Sequence, residues 1–157
     1  MLLILAFVFS VDLFALAGSK CVVDHLRCEY LENPLGIDRT NSRLSWIMKS
    51  KERAEIQTAY EIIVVSTPEL LAKNAGDLWA SGEVKSDWNT LITYSGRALT
   101  SRMCCYWKVR MWDKDGKPSA WSQSAMWSMG LLNPADWQAG SAKMKAKARR
   151  WTGGRLV

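Results

Sequence analysis

The strongest constraint on the fold is the nine-residue run 104–112, in which apolar and polar side chains alternate. Successive residues of a strand point to opposite faces, so this run predicts a β-strand with one buried and one exposed face. The predicted buried face consists of Cys105, Trp107, Val109 and Met111. The opposite face carries Tyr106, Lys108 and Arg110. The strand therefore has an apolar face for the core and a basic face opposite it.

Turn residues divide the rest of the chain into short segments, which we interpret as strands. Asn33-Pro34-Leu35-Gly36 ends the first, Pro68 ends the third, and the turn at 113–118 leads from 104–112 into a hairpin partner. The predicted strands or edge segments are 25–30, 43–48, 58–66, 77–82, 90–94, 104–112 and 121–129, with a helical turn at 69–73. This spacing predicts an all-β fold, a fibronectin type III or immunoglobulin-like two-sheet β-sandwich.

Length and tryptophan content agree with one compact domain. The chain has 157 residues, enough for a single hydrophobic core, and nine tryptophans, which are typical of a β-rich core filled by large rings. Trp46 alternates with polar neighbours in its strand and is the expected core anchor. Exposed Trp79, Trp88 or Trp112 would suit a sugar ring, although packing in the core or at a domain interface is the favoured interpretation.

The positive charge is confined to one end of the chain. The net charge is +6, and residues 140–157 contain six basic residues and no acid. The remaining chain has fifteen basic and fifteen acidic residues, because six of the 21 basic residues lie in the tail. A nucleic-acid surface needs its excess charge on the folded body, so we expect no nucleic-acid partner.

Residues 1–17 form an apolar run that ends in Ala15-Leu16-Ala17, a small-x-small pattern that a signal peptidase accepts before Gly18. The run lacks a basic start and is interrupted by Asp12. It is shorter than the roughly 20 residues of a membrane-spanning helix, so we expect no membrane span. The predicted location is secreted or periplasmic, with the cytoplasm as the alternative.

The cysteines, the histidine and the glycine pair do not form a recognisable reactive site. Cys21, Cys28, Cys104 and Cys105 lack the spacing of zinc ligands. A disulfide from Cys28 to Cys104 or Cys105 stays open, with free thiols preferred. His25, the single histidine, receives no role, and Gly153-Gly154 lacks the flanking strand and helix of a phosphate loop.

Several motifs follow one another in a distinctive order. The first is Leu26-Arg27-Cys28-Glu29-Tyr30-Leu31-Glu32-Asn33-Pro34-Leu35-Gly36-Ile37-Asp38, with Arg43-Leu44-Ser45-Trp46 after it. Later blocks are Gln57-Thr58-Ala59-Tyr60-Glu61-Ile62, Asp77-Leu78-Trp79-Ala80-Ser81-Gly82, Tyr106-Trp107-Lys108-Val109-Arg110-Met111-Trp112-Asp113, Ser119-Ala120-Trp121-Ser122 and Gly130-Leu131-Leu132. Over residues 26–139 the chain resembles the N-terminal fibronectin-like domain of bacterial α-L-rhamnosidases of glycoside hydrolase family 78.

The chain departs from the family pattern at three places. Ala80 stands where the family commonly has Asp, and Asn41-Ser42 replaces a Ser-Pro step. Cys105 stands where a fibronectin-like domain has its corner tyrosine, whose hydroxyl bonds to nearby backbone. This last departure predicts a less stable sandwich and a higher melting temperature for Cys105→Tyr.

The resemblance implies a larger enzyme whose catalytic acids lie in a separate helical (α/α)6 barrel, and none of that barrel is in this chain. Inverting hydrolysis of a glycoside needs two carboxyl groups beside a sugar-shaped cleft. Asp113 and Asp115 flank one turn, and Glu29 and Glu32 flank another, which is typical of solvated loop acids. We therefore expect no catalytic residue, no cofactor and no metal site.

The predicted layout has four parts: a signal-like segment 1–17, a sandwich 22–132, a linker 133–139 to a next domain, and a basic, disordered tail 140–157. The resemblance stops after Ala139, where the composition changes abruptly, as a frameshift or premature end would produce. The preferred function is a truncated, non-catalytic accessory domain of an α-L-rhamnosidase, whose partners are the enzyme's other domains. The alternatives are a free-standing module that binds carbohydrate or protein, and a small active enzyme.

Overall fold

The computed structural model describes residues 18–136. The signal-like segment 1–17, the end of the predicted linker at 137–139, and the tail with Gly153-Gly154 lie outside the described residues. The strands are β1 (Val22–Cys28), β2 (Arg43–Lys49), β3 (Ala59–Val65), β4 (Trp79–Ala80), β5 (Val84–Lys85), β6 (Ile92–Thr93), β7 (Cys104–Trp112) and β8 (Ala125–Ser128). A one-turn helix, α1 (Pro68–Ala72), follows β3, and a 3₁₀ turn (Pro134–Asp136) ends the described chain.

Within residues 18–136 the strands form two antiparallel sheets, which confirms the predicted sandwich. The smaller sheet has the order β1-β2-β6. In the larger sheet the order is β4-β3-β7-β8, and β5 pairs with β3 beside β4. β7 pairs with β3 along its length, from Ala59 opposite Trp112 to Val65 opposite Tyr106, so the strand predicted most clearly is central.

The core lies between the two sheets and is built from alternating inward side chains of both. Its largest fully buried members are Trp46 of β2, Trp107 of β7 and Trp127 of β8. The Trp46 ring meets Tyr60 edge-on at 5.3 Å between centroids, as aromatic pairs prefer. Burial of each indole contributes roughly 4–6 kcal/mol before entropy is counted. The prediction that Trp46 anchors the core is confirmed.

The outer face of the larger sheet is partly covered, although the sequence predicted a basic face there. Leu71 of α1 packs on Ile63 and Val65 of β3. Lys108 Nζ donates to the carbonyl of Leu71 at 2.9 Å and lies 5.0 Å above the Trp121 ring. Arg110 also lies over the Trp121 ring, at 4.8 Å, and donates to Glu61 at 2.7 Å. Arg110 is thus neutralised by Glu61, whereas Lys108 keeps its charge and is held in place by a carbonyl and an aromatic ring.

The bounds of the first strand differ from the prediction. β1 begins at Val22 rather than at 25, because a β-bulge lies between Asp24 and Arg27 and shifts the register. His25 has φ of 48° at this bulge. Successive buried residues are three positions apart there, from Val23 to Leu26, instead of two. The predicted strand 25–30 therefore began inside the irregularity, and β1 ends at Cys28 rather than at 30.

The surroundings of Cys105 and Tyr94 change the expected effect of Cys105→Tyr on the melting temperature. Cys105 is completely buried and lies opposite Trp127 in the β7–β8 ladder. The buried hydroxyl of Tyr94 already donates to the backbone, 2.8 Å from the carbonyl oxygen of Arg97. Burial raises the pKa of both Tyr94 and Cys105 to about 12. A tyrosine at 105 would overfill the core rather than supply a missing bond, so the expected gain from Cys105→Tyr becomes an expected loss.

All four cysteines are free thiols in the structure, as preferred from the sequence. Cys21, Cys28 and Cys105 are buried, whereas Cys104 is exposed. Burial raises the pKa of Cys28 to about 12, which keeps its thiol protonated and unreactive near neutral pH. Among the helices in residues 18–136, none combines the length and the apolar character that crossing a bilayer requires.

Candidate functional site

Asp113 is a buried structural acid, not the solvated loop acid that the sequence predicted. Its Oδ1 accepts the backbone N–H of Asp115 at 3.0 Å and of Lys117 at 2.9 Å. Burial alone would raise the pKa of Asp113, but the N–H donors of Lys117 and Asp115 and the Ser19 hydroxyl outweigh it and hold the pKa below its ordinary value. The carboxylate therefore closes the turn after β7.

Glu29 also departs from the prediction, because it is engaged rather than solvated. Its Oε2 lies 2.6 Å from Arg43 Nη2, and its Oε1 accepts the backbone N–H of Arg43 at 2.7 Å. The hydrogen bond with the Arg43 side chain is the largest effect on Glu29 and lowers its pKa. Glu32 is exposed as expected, with His25 Nδ1 at 3.3 Å, and Asp115 is exposed as well.

These environments are the opposite of what a catalytic acid requires. A general acid of a glycosidase has a raised pKa, produced by an apolar pocket or a neighbouring carboxylate. The pKa values of Asp113 and Glu29 are lowered instead, since both carboxylates accept several hydrogen bonds. In the described part of the chain no group of three or more His, Cys, Asp and Glu side chains is arranged to hold a metal ion.

The three tryptophans considered for sugar stacking lie in different environments. Trp79 is half-buried and meets Tyr94 edge-on at 5.4 Å. Trp112 is half-buried under the guanidinium of Arg110 at 5.1 Å. Trp88 is 70% exposed, so it is the one of the three with a free ring face.

The loop that carries Trp88 is attached to the core through the buried side chain of Gln57. Gln57 Oε1 accepts the indole N–H of Trp46 at 2.9 Å. Its Nε2 donates to the carbonyl oxygens of Ser86 at 3.2 Å and Trp88 at 2.8 Å. A second link joins the backbone N–H of Trp46 to the carbonyl of Asn89 at 3.0 Å. The exposed ring is therefore presented on a fixed backbone.

A second candidate surface lies where the chain leaves the sandwich. The β1–β2 loop runs along β8: Asn33 Oδ1 accepts the N–H of Met126 at 2.9 Å, and the carbonyl of Pro34 accepts that of Ser128 at 3.0 Å. Ile37 forms a parallel bridge with Met129. We call the surface formed by residues 30–37 and 125–136 the exit edge.

The outgoing chain is fixed to the exit edge by side chains that precede β7. Leu132 N–H donates to Ser101 Oγ at 2.8 Å, and that hydroxyl also bonds to the carboxylate of Asp136. The guanidinium of Arg102 donates to the carbonyl of Asp136 at 3.1 Å. The part of the predicted linker that the structure describes, 133–136, is thus held against the sandwich.

Three large apolar side chains are exposed on the exit-edge loop. Tyr30 and Leu31 are more than half exposed, and Leu35 is 76% exposed. Arg43 lies 5.5 Å from the Tyr30 ring, which orients that ring. Exposed apolar groups that cluster in this way are typical of an interaction surface.

Sequence reasoning did not identify the exit edge as a site. It treated the Asn33-Pro34-Leu35-Gly36 segment as the end of a strand and as part of a family motif, not as a contact surface. The run of Tyr30, Leu31 and Leu35 in a turn is the signal that was present, because turn residues are ordinarily polar. The pairing of this turn with β8, about 90 residues later, has no counterpart in local sequence pattern.

Comparison with known proteins gives one consistent match. A family model described as "Rha78A-like, N-terminal immunoglobulin domain" matches residues 23–133. An alpha-L-rhamnosidase of Streptomyces avermitilis is 40% identical over 111 residues, which are 71% of this chain and 11% of that protein. One from Formosa agariphila is 33% identical over 143 residues, 91% of this chain and 15% of that protein.

A solved structure has the same fold. It is the alpha-L-rhamnosidase described as from Dictyoglumus thermophilum, which superposes with a TM-score of 0.72 at 38% identity. The match covers 74% of this chain and 13% of that one. The chain thus spans between a tenth and a sixth of the length of these relatives.

Proposed function

The chain belongs to the family of Rha78A-like N-terminal immunoglobulin domains, and we propose that it serves as the accessory domain of an enzyme that hydrolyses terminal α-L-rhamnose. The observation that carries this proposal is that the matched segment is a small share of each rhamnosidase, whereas the family model describes an N-terminal domain. The depressed pKa values of Asp113 and Glu29 agree with a non-catalytic role.

The exit edge is the surface by which such a domain would hold its neighbour. Its apolar side chains, Tyr30, Leu31 and Leu35, are exposed beside the outgoing chain. Interfaces between domains of one chain resemble transient protein–protein interfaces, whose fully buried centre is more apolar than the rest of the surface. The Ser101 and Arg102 contacts fix the direction in which the chain leaves. The exposed apolar side chains thus provide a contact surface, and the Ser101 and Arg102 contacts set the orientation of the outgoing chain.

The test is a chimera in which residues 18–136 replace the matched domain of the Streptomyces avermitilis enzyme. We expect the chimera to hydrolyse p-nitrophenyl α-L-rhamnoside. Leu35→Asp should lower the melting temperature of the chimera more than that of the isolated chain, because it places a charge in the domain interface. Ile56→Asp, at an exposed apolar residue away from the exit edge, is the matched control. Equal effects of Leu35→Asp on chimera and isolated chain would contradict the proposal.

Export is part of the proposed function. The apolar run 1–17 with its Ala15-Leu16-Ala17 ending supports a secreted or periplasmic protein. Fractionation of a bacterial host that expresses the full chain tests this directly. Recovery of the protein in the periplasm or medium is expected, and exclusive recovery in the cytoplasm would contradict it.

Trp88 supports a second candidate function, the binding of a sugar ring. Its side chain is 70% exposed on a backbone fixed by Gln57, as a stacking platform requires. Titration of the chain with L-rhamnose, followed by the indole N–H resonance of Trp88, tests this function. A saturable shift that Trp88→Ala removes would support it, and the absence of a shift would leave the accessory role alone.

A further inference from the structure

A small cavity lies between the first described residues and the turn after β7. Its volume is about 150 Å³, and its lining includes Gly18, Lys20, Glu52, Glu55, Asp113 and Asp115. It is separate from the exit edge and from the Trp88 loop. The cavity is notable because one of its acids is buried and incompletely paired.

Glu55 is that acid. Its side chain is only 8% exposed, and its Oε1 lies 3.0 Å from Lys114 Nζ. Its Oε2 is buried and has no hydrogen-bond partner among residues 18–136. A buried carboxylate oxygen without a donor is costly, since it has lost water and gained nothing in return. The site therefore calls for one more donor.

The other charged side chains at the cavity are partly paired among themselves. Lys20 and Lys117 line it together with the four acids, and Lys114, which is not part of the lining, pairs with Glu55. Lys20 is already paired with Glu52 at 2.7 Å. A metal ion would not supply the donor that Glu55 lacks, because residues 18–136 hold no suitable cluster of ligands.

Gly18 is the residue on the cavity wall that precedes all others in the described chain. Its neighbour Ser19 fixes it there, because the N–H of Ser19 donates to the carbonyl of Pro118 at 3.0 Å. The bond on its N-terminal side joins it to Ala17, the last residue of the small-x-small pattern. A cut at that bond would therefore place a new chain end in the cavity.

We propose that signal peptidase cleaves between Ala17 and Gly18, and that the new α-ammonium group of Gly18 binds in this cavity and donates to Glu55. Water is the co-reactant: the C–N bond breaks, the water oxygen joins the Ala17 carbonyl carbon to give a carboxylate, and both water hydrogens end on the Gly18 nitrogen as an ammonium group. The ammonium group supplies the donor that Glu55 Oε2 lacks. This inference rests on the proposed export.

The pH dependence of this contact follows from the amine itself, because only its protonated form is charged. The titratable groups that line the cavity beside it are Glu52, Glu55, Asp113, Asp115, Lys20, Lys117 and Cys21. An ordinary α-amino group has a pKa of about 7.7–8.0, so the contact is expected below that range and weakens as pH rises above it.

The test compares chain ends in one protein. Residues 18–157 are released from a fusion by a protease that leaves Gly18 as the first residue. A second preparation of the same chain carries an acetyl group on the Gly18 amine. We expect the free amine to give a melting temperature about 3–6 °C higher at pH 7, which corresponds to one charge-assisted hydrogen bond. The difference should shrink above pH 9.

Glu55→Gln should abolish the difference between the free and acetylated chains, whereas Glu69→Gln, on the exposed surface of α1, should preserve it. If Glu55→Gln does not fold, the free and acetylated wild-type chains alone decide. Equal melting temperatures for those two would overturn the proposal.

Mass spectrometry of the exported full chain tests the position of the cut. A mature chain that begins at Gly18 is expected, and one that begins elsewhere would overturn the inference. The accessory function is tested separately by the chimera, which begins at residue 18 and needs no export. Failure of either proposal can therefore be recognised without the other.

Discussion

Gln57 is the residue that joins the core to the surface. The buried amide uses both of its N–H groups and its oxygen, and it holds Trp46 on one side and the backbone of Ser86 and Trp88 on the other. Polar groups of this kind contribute specificity, because no apolar residue satisfies the three partners together.

The first prediction follows from this arrangement. Gln57→Leu removes the acceptor of the Trp46 indole N–H and the donor to two carbonyls, so we expect a loss of roughly 1–3 kcal/mol in the free energy of unfolding. Urea unfolding followed by tryptophan fluorescence measures it. Gln123→Leu, at an exposed position, is the control and should change stability by less than about 0.5 kcal/mol. Equal stabilities for the two variants would contradict the role of Gln57.

The second prediction concerns the adjacent cysteines of β7. Cys105 is completely buried and Cys104 is exposed, so the same substitution meets opposite environments. We expect Cys105→Tyr to destabilise the sandwich by about 1–3 kcal/mol through overpacking, and Cys104→Tyr to have little effect. Differential scanning calorimetry gives both values. A higher melting temperature for Cys105→Tyr would restore the sequence-based expectation.

Individual residues show where sequence reasoning succeeds and where it does not. Trp46 was predicted as a core anchor because its neighbours alternate with it in polarity. Asp113 and Glu29 were wrongly predicted to be solvated, since their partners are the N–H groups of a folded turn and the side chain of Arg43. Such bonds depend on backbone direction, and residue type alone does not encode it.

Among the elements, the turn after β7 is the one stabilised most directly by a buried carboxylate. Asp113 accepts two N–H groups from within the turn, and Gly116 has φ of 72°, which the missing side chain permits. The turn sets the hairpin register, because Ser119 N–H donates to the carbonyl of Met111 at 2.8 Å.

The third prediction is a pH dependence of this turn. A folded-state pKa below the unfolded value means that Asp113 stabilises the fold above about pH 4, and that this contribution is lost as pH falls through the folded-state pKa. Asp113→Asn should therefore cost about 1 kcal/mol at pH 7 and less at pH 3. Urea unfolding at the two pH values measures this, with exposed Asp115→Asn as the control. An equal cost at both pH values would contradict the assignment.

Long strands were predicted better than short ones. The bounds of β7 agree with the prediction, because nine alternating residues leave one consistent register. β5 has two residues and was not predicted, since Val84 and Lys85 carry no periodic signal and are defined by their pairing with β3. The exit edge was missed for the same physical reason, as pairing between distant segments is decided by the fold.

The fourth prediction concerns the whole molecule, which we expect to have no catalytic activity on its own. The isolated chain should give no hydrolysis of p-nitrophenyl α-L-rhamnoside above the uncatalysed rate, because Asp113 and Glu29 have depressed pKa values and serve structural roles. The chimera with the Streptomyces avermitilis enzyme is the positive control. Hydrolysis by the isolated chain that persists through repeated purification would contradict this prediction and indicate a catalytic site in the chain.

The parallel bridge at the exit edge also has a mechanical consequence. Tension on the chain beyond Asp136 reaches the sandwich first through Ser101 and Arg102. It then loads the bonds that residues 34–37 make with 128–130, and because Ile37 and Met129 run parallel, these bonds share the load in shear. The joint resists pulling as a clamp, in which several bonds must fail together, rather than as a zipper that opens one bond at a time.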